Sequence, residues 1–243
     1  MILTADKDPM GNAITDYWKR QKASRLRVLS SMFDEDELPV AQLFRSFRQM
    51  PVLEQKALQL ASGKILDVGA GSGCHSLVLQ EAGKEVYPID ISPLSIQVMQ
   101  ERGLPQAALH DFFDSSSLTG KFDTILMLMN GSGIIGKLER IPFFFKRLEE
   151  LLTPNGCVLM DSSDLRYLFE NEDGSFDINL NADYYGEVDF QMKYKNIIGE
   201  KFDWLYIDFQ TLSHYALQAG FQTEMLHEGK HFDYLVRIMK LPI

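Results

Sequence analysis

A glycine-rich turn directly after a short apolar strand constrains the fold of this chain more than any other feature. Residues 64–68 read Lys-Ile-Leu-Asp-Val, which is typical of a strand buried on both faces of a parallel sheet. Gly69, Gly71 and Gly73 follow at alternate positions, before a helical segment that begins at Cys74. Glycine has no Cβ, so the backbone turns sharply there and a ligand approaches its amides closely. The segment therefore predicts a turn that holds a small ligand.

The spacing of these glycines excludes two common nucleotide-binding turns. A dinucleotide-binding turn requires G-x-G-x-x-G at the start of a helix, and its third glycine falls on Cys74 or Ser76 here. A phosphate-binding loop requires G-x-x-x-x-G-K-[ST], and no Gly-Lys-Ser or Gly-Lys-Thr follows this turn. The pattern that fits is D-x-G-x-G-x-G, which starts at Asp67. An ordinary tight turn between a strand and a helix is the alternative interpretation.

Strand-like and helix-like segments alternate along the rest of the chain. The further segments that read as strands lie at residues 85–90, 106–109, 122–129, 157–161, 221–227 and 233–240. Helical patterns lie between several of them, and the last helix, at 208–219, is closed by Gly220. Residues 228–231 join the last two strands as a hairpin. This order of elements predicts an α/β fold with a doubly wound, Rossmann-like parallel sheet.

With these motifs the chain resembles the class I S-adenosylmethionine-dependent methyltransferases, from about Gly63 to its C-terminus. The resemblance implies a seven-stranded, mostly parallel sheet in which the last strand is antiparallel and lies beside the fifth. It also implies S-adenosyl-L-methionine as the cofactor, with Asp67 facing the ammonium group directly or through water. The residues implied at the methionine end of the cofactor are Asp67, Gly69, Ala70, Gly71 and Gly73.

The second strand ends in an acid, Asp90, about 20 residues after the glycine turn, where an acid accepts hydrogen bonds from both hydroxyls of a ribose. We assign the next residue, Ile91, to the same cofactor site. Ser92 and Pro93 suit the cap and the first position of a helix. Asp90 has a second interpretation, as a partner for the dipole of that helix.

The third strand ends in His-Asp-Phe-Phe-Asp. The resemblance implies that Asp111 binds the adenine amino group and that the backbone amide of Phe112 meets a ring nitrogen, with Asp114 as an alternative acid. The side chains of Phe112 and Phe113 either flank the adenine or fill the core.

The fourth strand exits through Met129 and Asn130, which the resemblance places beside the sulfonium group and facing the methyl acceptor. Asn130 is not followed by the Pro-Pro-aromatic sequence of the branches that methylate nucleobases or protein glutamine. This departure disfavours those acceptors.

Residues 1–62 are predicted to form an N-terminal helical cap on the cofactor end of a methyltransferase domain that spans residues 63–243. The predicted helices of the cap lie at residues 13–30, 39–49 and 52–61. An acidic run at 34–37 is interpreted as a solvated loop.

An insertion at about residues 165–207 separates the fifth strand from the last helix. Its first part, 169–183, is polar and reads as a loop. Residues 187–195 and 202–207 alternate in polarity and predict a β-hairpin arm that turns around 198–200. Five aromatic residues of this insertion either line an acceptor pocket, pack the arm or contact a second copy of the chain: Tyr184, Tyr185, Tyr194, Trp204 and Tyr206.

Whole-chain quantities exclude several classes of partner. A formal net charge of −10 disfavours nucleic acid. The first residues do not read as a secretory signal and no apolar run reaches membrane-spanning length, so we expect a cytoplasmic protein with no membrane partner. The two cysteines fit a reduced compartment. The five histidines lack ligand spacing, so we expect no metal. We expect a monomer or a homodimer.

The function predicted from these features is in-line methyl transfer to an O, N or C atom of a small molecule. A general base is required only for an acceptor that is protonated at the working pH, and the candidates are His110, Tyr17 and Tyr184. Tyr17, like Trp18, either reaches the acceptor or packs in the core. The alternatives are an inactive cofactor-binding protein and a protein methyltransferase. A nicotinamide oxidoreductase is disfavoured by the glycine spacing.

Overall fold

The computed structural model describes residues 2–171, 173–177 and 183–242, which form two β-sheets and the helices around them. The α-helices are α1 (Pro9–Arg20), α2 (Val52–Leu60), α3 (Cys74–Glu81), α4 (Pro93–Glu101), α5 (Ile141–Leu151) and α6 (Phe209–Gln218). The strands are β1 (Leu26–Leu29), β2 (Asp36–Leu38), β3 (Lys64–Val68), β4 (Glu85–Asp90), β5 (Ala108–Leu109), β6 (Phe122–Met127), β7 (Leu152–Ser163), β8 (Glu187–Tyr194), β9 (Ile197–Leu205), β10 (Phe221–Glu228) and β11 (Asp233–Lys240).

The larger sheet has seven strands in the order β10-β11-β7-β6-β3-β4-β5. The strands from β3 to β7 pair in parallel, whereas β11 is antiparallel to both β7 and β10. The predicted doubly wound sheet, with its antiparallel last strand beside the fifth, is therefore confirmed. In such a sheet the carboxyl ends of the parallel strands meet at one edge, and ligands bind there.

Local sequence explains where several of these elements begin. Ser92 caps α4 as predicted, with its Oγ accepting the amide of Ser95 at 3.0 Å, and Pro93 takes the first helical position. Asp208 caps α6 through the amides of Gln210 and Thr211, each at 2.9 Å. The segment of residues 153–156 lies just after the end of α5 at Leu151. It forms a bulge inside β7, where Leu152 pairs with Phe122 and Cys157 already pairs with Thr124.

The N-terminal segment is only partly helical, so the prediction of an all-helical cap was wrong. The helix predicted over 13–30 runs from Pro9 to Arg20, because Asp8 caps its first turn through the Gly11 amide at 2.7 Å. It ends at Gln21, which has a left-handed φ of 52°. The helix predicted over 39–49 is two short 3₁₀ segments, and α2 agrees with the prediction.

A second sheet contains the predicted hairpin arm and is larger than expected. Its order is β2-β1-β8-β9, and every pair is antiparallel, so the N-terminal strands extend the arm. The hairpin turns at Lys195 and Asn196 rather than around 198–200, and Lys195 takes the left-handed φ of 52° that this tight turn requires.

The acidic run at 34–37 is not simply a solvated loop. Asp36 and Glu37 begin β2, and Glu37 pairs with Arg25 across the hairpin. Cross-strand pairing of opposite charges explains why such a polar segment forms an edge strand. In the insertion, residues 165–169 form a 3₁₀ turn, and part of the loop predicted at 169–183 lies outside the described residues.

Candidate functional site

Hydrogen bonds join the carboxyl ends of β3, β4 and β5 at one edge of the larger sheet. The Asp90 Oδ2 atom accepts the amide of Gly71 at 2.8 Å, and its Oδ1 atom accepts the amide of Ser92 at 2.9 Å. The backbone carbonyl of Asp90 accepts the amide of His110 at 3.1 Å. Asp90 thus lies between the glycine turn and the start of α4.

The glycine turn adopts a backbone that only glycine takes up readily. Gly69, Gly71 and Gly73 have φ values of 69°, 58° and 81°. The amides of Gly69 and Ala70 both donate to the Ile89 carbonyl at 3.0 Å, which holds the turn against β4. Gly71 is buried, yet a Cβ added to it would meet no atom within 4 Å. The turn therefore borders an open space inside the protein.

Burial dominates the electrostatics of the two acids at these strand ends. Asp67 is 2% exposed and accepts a hydrogen bond from the Ser76 hydroxyl at 2.6 Å. Burial raises the pKa of Asp67, against the lowering effects of His75 and Ser76. Burial also raises the pKa of Asp90 to about 6, although the amides of Ser92 and Gly71 act in the opposite direction. A ligand that donates hydrogen bonds or carries positive charge would stabilise the ionised form of both acids.

The residues that follow β5 differ in their contacts and in their burial. Asp111 accepts the amide of Phe113 at 2.9 Å. Phe112 is 2% exposed and packs against Phe144 in the main core, so its side chain fills the core. Asp114 is exposed and its carboxylate bonds the hydroxyls of Ser116 and Ser117. The side chain of Ile91, at the end of β4, is exposed.

The exit of β6 is held by an acid that sequence reasoning missed. Met129 and Asn130 have successive left-handed φ values of 68° and 57°, which is uncommon for residues with side chains. The buried Asp161, near the end of β7, accepts the amide of Gly131 at 3.0 Å, and Asn130 accepts the Ser163 hydroxyl at 2.8 Å. Burial raises the pKa of Asp161 to about 6. Backbone strain of this kind concentrates at functional sites.

A cluster of buried charges beneath the glycine turn was also missed. Glu54 on α2 is 5% exposed, contacts the Arg45 guanidinium, and lies with its Oε2 atom 2.8 Å from Nε2 of His75. Burial acts to raise the pKa of Glu54, but the bonds and charges of His75 and Arg45 lower it overall. One feature of the sequence indicates that Glu54 is buried. On the helix, Glu54 lies on the same face as the apolar residues 57, 58 and 61.

The three candidate bases lie in different surroundings. His110 is half-buried with Nδ1 3.2 Å from the Ser117 hydroxyl, and the Tyr17 ring packs 4.7 Å from that of Phe44. Trp18, next to Tyr17, bonds a carboxylate on α4. The Tyr184 hydroxyl donates to the Asp208 carboxylate at 2.7 Å and accepts the Asp208 amide at 2.8 Å. Burial raises the pKa of Tyr184 far above its usual range.

The arm is packed onto the loop that follows β6. The Trp204 indole lies so close to Gly133 that a Cβ at Gly133 would overlap it. Ser132 fixes the contact by donating to the Leu205 carbonyl at 2.8 Å. The Trp204 ring meets that of Phe202 edge to face at 6.0 Å, and both side chains are half-buried. An aromatic face therefore stands beside the strand end that carries Asn130.

The described part of the chain contains no group of three or more His, Cys, Asp or Glu side chains that could hold a metal ion. Among the helices of the described ranges, none is both long and apolar enough to cross a membrane.

Comparisons with known proteins identify close and distant relatives. A family model described as a methyltransferase domain matches residues 65–156. A solved S-adenosylmethionine-dependent methyltransferase from Bacteroides fragilis, in complex with S-adenosyl-L-homocysteine, is 63% identical with a TM-score of 0.94. The match covers 100% of this chain and 98% of that chain.

Two other relatives are more distant. The CcbJ methyltransferase from Streptomyces caelestis has a TM-score of 0.64 over 98% of this chain and 100% of that chain, and its 13% identity supports similarity of fold alone. The cypemycin N-terminal methyltransferase from a Streptomyces species is 26% identical over 102 residues, or 41% of this chain. The matched segment spans 42% of the length of that curated relative.

Proposed function

Because this chain belongs to the S-adenosylmethionine-dependent methyltransferases, we propose that it transfers a methyl group from that cofactor to a small-molecule acceptor. The relative that carries S-adenosyl-L-homocysteine is 63% identical over the whole chain, which supports the same cofactor here. S-adenosyl-L-homocysteine is what remains of S-adenosylmethionine after its methyl group has left.

The residues at the strand ends suit this cofactor. The open space beside Gly71 leaves room for a ligand against the turn, and the Asp90 carboxylate suits the ribose hydroxyls. The Asp67 carboxylate and Gly69 suit the methionine end, and Asp111 suits the adenine amino group. When bound, the cofactor would supply a methyl group on a positively charged sulfur. A nucleophilic atom of the acceptor would bond to the methyl carbon in line as the sulfur leaves as a neutral thioether. The protein then acts mainly by alignment and by exclusion of water.

The observation that carries the proposal of a small acceptor is the packing of Trp204 on Gly133. This contact fixes the arm beside the end of β6, where the acceptor is expected to lie, and its half-buried aromatic face suits a small molecule with an apolar part. The formal charge of −10 further disfavours nucleic acid as an acceptor.

His110 and Tyr17 remain the proposed bases for an acceptor that must lose a proton. Tyr184 is the weaker candidate, because its hydroxyl is already bonded to Asp208 as donor and as acceptor. We also propose a cytoplasmic monomer or homodimer without a membrane partner, divided into residues 1–62 and 63–243.

A peptide amine is the second candidate acceptor, favoured by the partial match to a methyltransferase named for an N-terminal substrate. The two candidates differ in size, and a panel that contains amines, alcohols and short peptides separates them. A protein that binds the cofactor without transfer would be inactive against the whole panel.

The test measures cofactor binding by calorimetry and then S-adenosyl-L-homocysteine release with each acceptor. We expect micromolar binding of S-adenosylmethionine and turnover with a small molecule. Asp90→Ala should weaken binding by more than about tenfold, which corresponds to about 1.4 kcal/mol. Binding of NADH without binding of S-adenosylmethionine would exclude the proposal, and turnover with peptides alone would select the second candidate.

A further inference from the structure

Arg45 carries a buried hydrogen-bond donor with no partner in the described part of the protein. Its side chain is 10% exposed, and its Nε–H group is the one buried side-chain polar atom found there without a hydrogen bond. An unpaired buried donor lowers stability, and a charged one lowers it more, so native proteins rarely keep one without a reason. The guanidinium is therefore arranged for an acceptor that belongs to a ligand.

Glu54 fixes the position of this guanidinium and is itself held by His75. Glu54 contacts one terminal nitrogen of Arg45 through its Oε1 atom, and its Oε2 atom is bonded to His75 at 2.8 Å. Because Glu54 is 5% exposed and is held from both sides, the Arg45 side chain has little freedom to turn toward solvent. The Nε–H group of the guanidinium is left for another acceptor.

The same guanidinium lies beside the glycine turn. The backbone carbonyl of Leu43, two residues before Arg45, accepts the hydroxyl of Ser72. Burial raises the pKa of the Cys74 thiol to about 12, whereas the positive charge of Arg45 acts to lower that pKa. The Arg45 guanidinium is therefore close enough to interact electrostatically with the first residue of α3. His75, which shares Glu54 with Arg45, also acts on the Asp67 carboxylate. Arg45 and Asp67 are thus neighbours of one turn, with opposite charge.

We propose that Arg45 binds the carboxylate of the methionine end of S-adenosylmethionine. In this cofactor the ammonium and the carboxylate are attached to the same carbon atom, so a carboxylate partner must lie close to the group that binds the ammonium. Asp67 is the acid expected at the ammonium, and Arg45 is the cation beside the same turn. A guanidinium matches a carboxylate with two parallel N–H donors, and Nε–H is one of the five that it offers.

This assignment rests on the proposed function for the identity of the cofactor, and it gives Glu54 and His75 a positioning role. Arg45 contacts the ligand, whereas Glu54 orients Arg45 and is itself held by His75. The arrangement also explains why three charged or polar residues are buried together under a turn that would otherwise need only glycine.

The experiment compares two ligands that differ in the carboxylate alone, S-adenosylmethionine and its decarboxylated form, by isothermal titration calorimetry. We expect the wild-type protein to bind S-adenosylmethionine at least about tenfold more tightly, as for a hydrogen-bonded ion pair. Arg45→Gln should reduce this preference to within about twofold. Arg45→Lys keeps the charge toward Glu54 but has no Nε–H donor in that position, so it should lose most of the preference.

Arg48→Gln is the matched control, because Arg48 is exposed on the next 3₁₀ segment and should leave the preference unchanged. Thermal melting verifies that each variant is folded. If Arg45→Gln does not fold, the comparison of the two ligands is made with Arg45→Lys. Equal weakening of both ligands by the Arg45 variants, or an unchanged preference, would overturn the assignment. A protein that keeps the preference but transfers no methyl group would refute the proposed function and leave the role of Arg45 intact.

Discussion

Replacing Gly133 with alanine tests whether the arm is fixed by the contact between Gly133 and Trp204. The φ of Gly133 is negative, so alanine brings no backbone strain and its effect is steric. Its Cβ would overlap the indole ring, which must retreat by more than about 1 Å to reach ordinary van der Waals distance. Leu205, next to Trp204, is held by the Ser132 hydroxyl at 2.8 Å, so the retreat is resisted. We expect a loss of about 1–3 kcal/mol in unfolding free energy, the usual cost of overpacking.

A double-mutant cycle isolates that contact. In a Trp204→Ala background the added methyl group has space, so Gly133→Ala should cost less than about 0.5 kcal/mol, and the coupling energy should be about 1–3 kcal/mol. Urea unfolding is followed by circular dichroism, because Trp204→Ala removes one of the two tryptophans. Gly199→Ala is the control in the same strand, where the nearest atom would be a Pro9 carbon at 3.1 Å.

The cycle also has a functional readout. Gly133→Ala should raise the KM for the acceptor while the affinity for S-adenosyl-L-homocysteine stays within about twofold, since the glycine turn is untouched. If Gly133→Ala had the same unfolding cost in both backgrounds, the contact would not fix the arm and would not support an acceptor site beside the end of β6.

Three other predictions concern Asp90 and Tyr184. Burial raises the pKa of Asp90 to about 6, so cofactor affinity should fall below pH 6 as the carboxylate takes up a proton. If the affinity of an Asp90→Asn variant fell with pH in the same way, a group other than Asp90 would cause the pH dependence. The same shift means that the folded state binds the proton more tightly than the unfolded state. The part of the ligand-free protein's stability that depends on Asp90 should therefore be greatest below pH 4 and fall by up to about 3 kcal/mol as the pH rises to 6, measured against Asp90→Asn by urea unfolding. Tyr184→Phe removes both bonds to Asp208 and should lower the stability by about 1–2 kcal/mol without changing turnover; lost turnover at unchanged stability would instead make Tyr184 a base.

The central sheet could be predicted because its information is local. The buried strands are continuous apolar runs, and turn glycines and capping residues such as Ser92 mark where helices begin. The order of these elements admits few topologies, since crossovers between parallel strands are right-handed. Those constraints place Asp67 and Asp90 near the carboxyl ends of neighbouring strands, and β3 does pair with β4.

The N-terminal strands could not be predicted in this way. Residues 26–29 form a strand because the edge of β8 offers them hydrogen bonds, with Leu26 opposite Tyr194. That partner lies more than 160 residues away along the chain, and an edge strand has little stability without one. Local patterns gave the same segment a helical appearance.

The sequence by itself determined the sheet, the glycine turn and, through them, the cofactor class, because each depends on residues close together in the chain. Only the tertiary structure decided which polar residues are buried around that turn. Arg45, Glu54 and Asp161 look like ordinary charged residues until the packing of distant elements removes water from them. A buried charge requires a partner, and the identity of that partner is a property of the folded chain.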